Sequence, residues 1–342
     1  MAQRVVLHVG LMKSGTSYLQ QRLTANRDLL AAGGVLFPGE VWRDQVLAVS
    51  DVLGRKQAGP ATAGRWRALV DEVAAHDGTA VVSMEFLGPA RPERIAEVVG
   101  SFGETPVEVV LTLRDLGRGV PAMWQEALQN GGTLTWHGYV DLLHGQRKPA
   151  QAFWRQQGMA RIVGNWVAAV GAGRVTIVTV PRPGAAAGVL WDRFCAAARI
   201  PGEGCVDVRP ANTSLDAASA MLLRSLNEAL AADEVSAGDY HTLVKFGLAK
   251  RVLAGRTDAP AIGFEPPEWL RERSADIVVR LGASGARVVG DLGDLVPASV
   301  AGVDPDGLPA EAIAAAAVAA LRGSVVLRAG ERRQPTATSE TV

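Results

Sequence analysis

The sequence predicts an α/β fold: a central, mainly parallel sheet flanked by helices, followed by a helical C-terminal part. Three observations predict it. Short β-branched runs alternate with longer amphipathic stretches, the pattern of strands joined by crossover helices. The clearest runs, Val5–Val9 and Val107–Leu113, are continuously apolar, as strands covered on both faces are. After about residue 210 the β-branched runs thin out and helical spacing takes over.

The elements follow in order. Val5–Val9 reads as the first strand, and Leu19, Leu23 and Leu30 after it keep helical spacing up to a stop at Gly33-Gly34. A helix carrying Trp66, Leu69, Val70 and Val73 precedes a strand at Thr79–Ser83. Pro106 introduces Val107–Leu113, and Arg114-Asp115 follow it at once. Arg174–Val180 ends at Pro181-Arg182-Pro183 and leads into a helix with Leu190, Phe194 and Cys195. Arg287–Val289 supplies one more short strand. Ser214–Leu230 and Asp239–Leu253 read as amphipathic helices, and the Ala-rich stretch Pro309–Arg322 as a surface helix. No fixed-period repeat and no clear linker divide the chain, so residues 1–330 are read as one domain and 331–342 as a disordered polar tail.

Composition excludes several function classes. The 342 residues include 48% hydrophobic and 20% charged, an ordinary globular balance. Lys plus Arg equal Asp plus Glu at 35 each, which disfavours a nucleic-acid partner or a long polyanionic acceptor. Two cysteines, Cys195 and Cys205, make no disulfide framework and read as free thiols of a reducing cytosol. The five histidines show no metal-ligand spacing, so no metal is expected. The apolar run VVLHVGLM is broken by Lys13 and is too short for a secretory signal. The longest apolar stretch, Ile313–Leu321, is half a membrane span. A cytoplasmic protein with no membrane partner is expected, its oligomeric state unreadable.

Chemistry concentrates in Gly10-Leu11-Met12-Lys13-Ser14-Gly15-Thr16-Ser17, between a buried strand and an amphipathic helix. At such a junction successive backbone N–H groups and the helix N-terminus converge on one point, which suits phosphate. Glycines let the backbone approach, Lys13 supplies a compact cation, and Ser14, Thr16 and Ser17 add hydroxyls. A polar turn that merely caps the helix is the plainer reading. Against it, one of only five lysines falls here. The loop is not GxxxxGK[ST], because Lys13 precedes Gly15 by two residues, and no strand ending in a magnesium-binding Asp follows unless Asp115 serves.

The segment HVGLMKSGTSYLQ resembles the 5′-phosphosulfate loop of bacterial-type sulfotransferases that use 3′-phosphoadenosine 5′-phosphosulfate (PAPS). Met12 stands where that family usually has proline. VEVVLTLRDLGRGVPAMWQEALQNG resembles the family's second signature, a strand, an arginine and a helix that bind the 3′-phosphate. There Arg114 matches, while Ala122 stands at the usual serine. The resemblance implies a P-loop-containing, sulfotransferase-like nucleotide-binding fold and a cytoplasmic transferase. It implies PAPS as co-substrate and a small-molecule acceptor, bound by Lys13, Ser14, Gly15, Thr16, Ser17 and Arg114. It also implies Lys13 as the catalytic cation and Glu85, just past Thr79–Ser83, as general base, although a Glu capping the turn that follows is an equal reading of the residue itself. Arg209-Pro210-Ala211-Asn212-Thr213-Ser214 reads either as a further nucleotide contact or as a helix cap. Trp124, Trp136, His137 and Tyr139 read as core before they read as an acceptor pocket. Two rival readings are a P-loop small-molecule kinase and a catalytically degenerate nucleotide-binding module.

Overall fold

A computed structural model of the chain describes residues 2–55, 60–145, 148, 150–208, 214–254, 256 and 259–333. Six strands form one sheet: β1 (Arg4–His8), β2 (Val35–Leu36), β3 (Thr79–Ser83), β4 (Val107–Leu113), β5 (Val175–Thr179) and β6 (Arg287–Val289). They lie in the order β2-β3-β1-β4-β5-β6, and each neighbouring pair runs parallel. Five of these are the strands the β-branched runs announce. β2 is two residues long, too short to carry a period of its own.

The strand order positions the site. From β1 the chain moves outward to β2 and returns to β3 on one side of β1, while β4, β5 and β6 follow on the other. Connections leaving the carboxyl ends of β1 and β4 therefore diverge and open a crevice, the place where open parallel sheets bind ligands.

One face of the sheet contributes Val6, Val81, Val110 and Val178 to a core with Leu19, Leu23, Leu30, Trp191 and Phe194. Trp191 is fully buried, and its indole N–H donates to the Gly202 carbonyl at 3.3 Å. Trp191→Ala is expected to lower the unfolding free energy by about 3–5 kcal/mol, read from urea denaturation.

Local chemistry moves several helix boundaries. The stretch holding Leu19, Leu23 and Leu30 is two helices, α1 (Thr16–Ala25) and Arg27–Ala32, separated at Asn26. Asn26 is buried, donates to the Arg22 and Val206 carbonyls and accepts from the Val206 N–H, so its side chain clamps a distant segment. Ala217–Leu230 starts after Asp216, whose carboxylate accepts the Ser219 N–H, and not at Ser214. Residues 209–213 lie outside the described residues. Tyr240–Leu253 winds as a π-helix, so Val244 and Ala249, five apart, are buried together. The Ala-rich helix is longer than expected and runs Ala310–Arg333; residues 334–342 of the expected tail lie outside the described residues.

Contacts divide the chain into two compact units. The first, residues 1–119, 144–211 and 266–298, holds the sheet. The second, residues 120–143, 212–265 and 299–342, is largely helical, with bridges Ile262–Val303 and Phe264–Val300. Its core stacks Trp136 against Trp124 and Phe264 at 5.3 and 5.2 Å. Trp124, Trp136 and Tyr139 are buried there, as core residues are. One described helix is long and apolar enough to cross a membrane, Ala310–Gly330, by length and composition only. That is weak ground for a span, and the structure is compatible with a soluble protein.

Candidate functional site

Beyond β1 the chain continues along β4 before it turns. The Val9 N–H donates to the Val110 carbonyl at 2.8 Å and the Leu11 N–H to the Thr112 carbonyl at 3.2 Å. Two left-handed residues then reverse it, Lys13 at φ 64° and Gly15 at φ 84°. Gly15 is the N-cap of α1, and no side chain caps that helix, so its first N–H groups find no acceptor in the helix itself. They point toward the carboxyl end of β1, with the positive end of the helix dipole behind them.

The loop is held from the other side through its carbonyls. The Gln157 amide donates to the Met12 carbonyl at 2.9 Å, and Arg114 Nη1 donates to the Lys13 carbonyl at 3.2 Å. Arg114 is thus no surface arginine. Burial, and next the neighbouring Arg118 charge, pull its guanidinium down to about 10 despite the opposing Asp115. Its Nε is buried without a partner.

Asp115 hydrogen-bonds Arg118 and acts on Arg114 through its charge alone. The fully buried carboxylate takes the Arg118 Nε and N–H and the Ala298 N–H, and Arg118 also reaches the Pro181 carbonyl at 2.9 Å.

Beneath the loop a hydrogen-bonded row crosses three strands. The Ser14 hydroxyl donates to the Leu11 carbonyl at 2.6 Å, and its oxygen lies 2.9 Å from Thr112 Oγ1. Thr112 Oγ1 is 3.2 Å from His8 Nε2, and His8 Nδ1 is 2.7 Å from Ser83 Oγ. A carbonyl only accepts, so the first bond orders the rest. Ser14 accepts from Thr112, Thr112 accepts from His8 Nε2–H, and His8 Nδ1 accepts from Ser83. His8 is fully buried, and desolvation drops its pKa to about 3, so the ring is neutral with its proton on Nε2.

The row explains Gly10. A Cβ there would stand 2.1 Å from Thr112 Oγ1. Gly10→Ala is therefore expected to destabilise the chain by about 1–3 kcal/mol, and Thr112→Ala in the same chain to recover part of the loss, both read from thermal unfolding.

Glu85 follows β3 in a short turn, Glu85–Leu87. The Gln20 amide donates to Glu85 Oε2 at 3.1 Å and to the Ser83 carbonyl at 3.2 Å, while its oxygen accepts the Trp42 indole N–H at 3.0 Å. Arg55 lies 3.8 Å over the Phe86 ring, where burial lowers its pKa and the Glu85 charge opposes that shift. Gln45 holds the Ser83 N–H at 2.8 Å. Sequence reasoning assigned no role to Gln20, Gln45, Arg55 and Trp42; Gln20 closes the quoted loop segment, and the other three belong to no motif.

Neither a family model, nor a curated protein, nor a solved structure matches the chain.

The arrangement brings together most of the expected residues. Lys13, Ser14, Gly15, Thr16, Ser17 and Arg114 share one loop and its support, and Gln20 of α1 links that loop's helix to Glu85. Ser17 is exposed on the first turn, Thr16 is buried, and Ser14 points inward. Chemically the loop can hold an anion, and Glu85 can take a proton from a group placed beside it.

Elsewhere, Cys195 and Cys205 are free, and burial pushes the Cys195 thiol up to about 12. Among the described residues, His137, Asp304 and Asp306 bring one ligand atom each within 4.8 Å of one another. Their carboxylates are already engaged: Asp306 takes the Trp136 and His137 N–H groups, and Asp304 takes the Asp306 N–H.

Proposed function

We propose that the chain is a sulfotransferase that moves a sulfuryl group from PAPS to a hydroxyl or amine of a small acceptor. The observation that carries this reading is the loop 9–15. Its carbonyls at Met12 and Lys13 are held by Gln157 and Arg114, which leaves the uncapped N–H groups of α1 beside Lys13 for the 5′-phosphosulfate.

The acceptor oxygen or nitrogen bonds to sulfur while the bond from sulfur to the bridging phosphate oxygen breaks. Adenosine 3′,5′-bisphosphate leaves. Lys13 stabilises the charge that gathers on the bridging oxygen, and the α1 N–H groups donate to the 5′-phosphate. Glu85, oriented by Gln20, takes the acceptor's proton. Arg114, with an unpaired buried Nε, supplies positive charge for the 3′-phosphate. A cytoplasmic setting with reduced thiols agrees with this chemistry.

Calorimetry with adenosine 3′,5′-bisphosphate and with ATP–magnesium tests the reading. Binding of the bisphosphate at least tenfold tighter than ATP–magnesium is expected, with transfer of labelled sulfate from PAPS to a member of a hydroxyl and amine panel. Preference for ATP–magnesium overturns it in favour of a kinase.

A second reading, a nucleotide-binding module without turnover, is favoured by one observation. The Ser14 hydroxyl proton is engaged by the Leu11 carbonyl, and Ala122 brings no hydroxyl where the resembled family has one. Tight bisphosphate binding with no transfer to any acceptor distinguishes it.

A further inference from the structure

The helix Ala310–Arg333 has two unlike faces. Ala316 and Ala320 are buried, and the helix packs along Ala217–Leu230 and Tyr240–Leu253 of its own unit. On the opposite side Val318, Leu321 and Val325 stand 67%, 69% and 68% exposed. Preceded by exposed Ala314, they follow a 4-3-4 spacing, the seam by which one helix meets another. Single exposed apolar residues are ordinary, but a contiguous row of this kind marks a covered surface.

We propose that this row is covered by the same row of a second copy, the two helices running antiparallel about a two-fold axis. The spacing is palindromic about the point between Ala319 and Ala320. A two-fold there sets Val318 of one copy against Leu321 of the other and Ala314 against Val325, apolar on apolar along the seam. The charges are complementary in that direction. Glu311 lies at one end of the helix and Arg322 and Arg328 toward the other, so the antiparallel pair brings the acidic end of each copy to the basic end of its mate. Parallel pairing instead stacks Arg322 and Arg328 on themselves and aligns the helix dipoles. The row has no aromatic residue to seat in a lipid interface, and the opposite face is occupied by the protein's own helices.

Sedimentation velocity and light scattering on the full chain test the proposal. The wild type is expected at twice the 35.9 kDa chain mass, and Val318→Glu with Leu321→Glu at the chain mass with an unchanged thermal melt. Orientation is read by oxidative cross-linking. A mixture of Ala314→Cys and Val325→Cys chains is expected to yield a covalent dimer that neither yields alone, with wild type as the control for Cys195 and Cys205. A wild type at the chain mass over a hundredfold concentration range overturns the proposal. So does a dimer that survives the double glutamate change, or a cross-link formed by Ala314→Cys alone. Chain-mass protein that co-sediments with phosphatidylserine vesicles through this helix overturns it in favour of lipid.

Discussion

Lys13→Ala is expected to lower transfer of label from PAPS by about 10²–10³-fold, which is about 3–4 kcal/mol of transition-state stabilisation. The loss is expected in kcat more than in KM, because charge on the bridging oxygen develops only as the sulfur–oxygen bond breaks. Backbone strain supplies the control. Lys13 sits at φ 64°, a conformation that costs a side-chain-bearing residue about 1–2 kcal/mol and glycine almost nothing. Lys13→Gly is therefore expected to melt at or above the wild-type temperature while losing activity as completely as Lys13→Ala. Activity retained in both variants removes Lys13 from the reaction. A lower melting temperature for Lys13→Gly would show that the side chain holds the loop together and is not placed there for a ligand.

Acid should destabilise the chain through His8. Its pKa falls from 6.5 to about 3 on folding, so below 6.5 the unfolded chain takes up a proton that the folded chain refuses. The stability that neutral His8 confers is complete above 6.5 and drains as pH drops toward 3, at about 1.4 kcal/mol per pH unit. Carboxylates protonate mainly below 5, so urea unfolding at pH 7, 6 and 5 isolates the histidine. His8→Gln is expected to be less stable at pH 7, because Ser83 and Thr112 lose a shaped partner, and to show a flatter pH slope. Nitrogen chemical shifts of the ring provide an independent reading, with the proton on Nε2 at pH 5.5. Equal slopes for wild type and His8→Gln, or a charged ring at pH 5.5, would refute the ordered row.

What the sequence revealed depended on whether the signal was local. β1 and β4 are buried on both faces, so their apolar runs are continuous and stood out as strands. The loop was legible because Lys13, Gly15 and the hydroxyls are consecutive. Gln20 and Gln45 were not, because each acts on a strand end 63 and 38 residues away, and no spacing encodes that. Ser14 read as a ligand hydroxyl because Thr112, which claims its oxygen, arrives from a strand 98 residues later. The π-helical winding at Tyr240–Leu253 was hidden for another reason. A pattern search at 3.6 residues per turn cannot distinguish it from an α-helix over so few turns. The two units were also illegible, since one boundary falls inside the helix Leu116–Gln129 and each unit is assembled from three separated segments.

The two carbonyl clamps on the loop, Gln157 on Met12 and Arg114 on Lys13, have a thermodynamic consequence. A glycine-containing loop left to itself would have to be ordered by the ligand, and each residue fixed costs about 1–2 kcal/mol. Here that ordering is complete once the chain has folded, so an arriving anion meets donors already in place. Binding should accordingly release heat with little change in heat capacity. Amide exchange at Val9, Leu11 and Ser14, whose N–H groups are already bonded, should be slow before the ligand is added, and not only after.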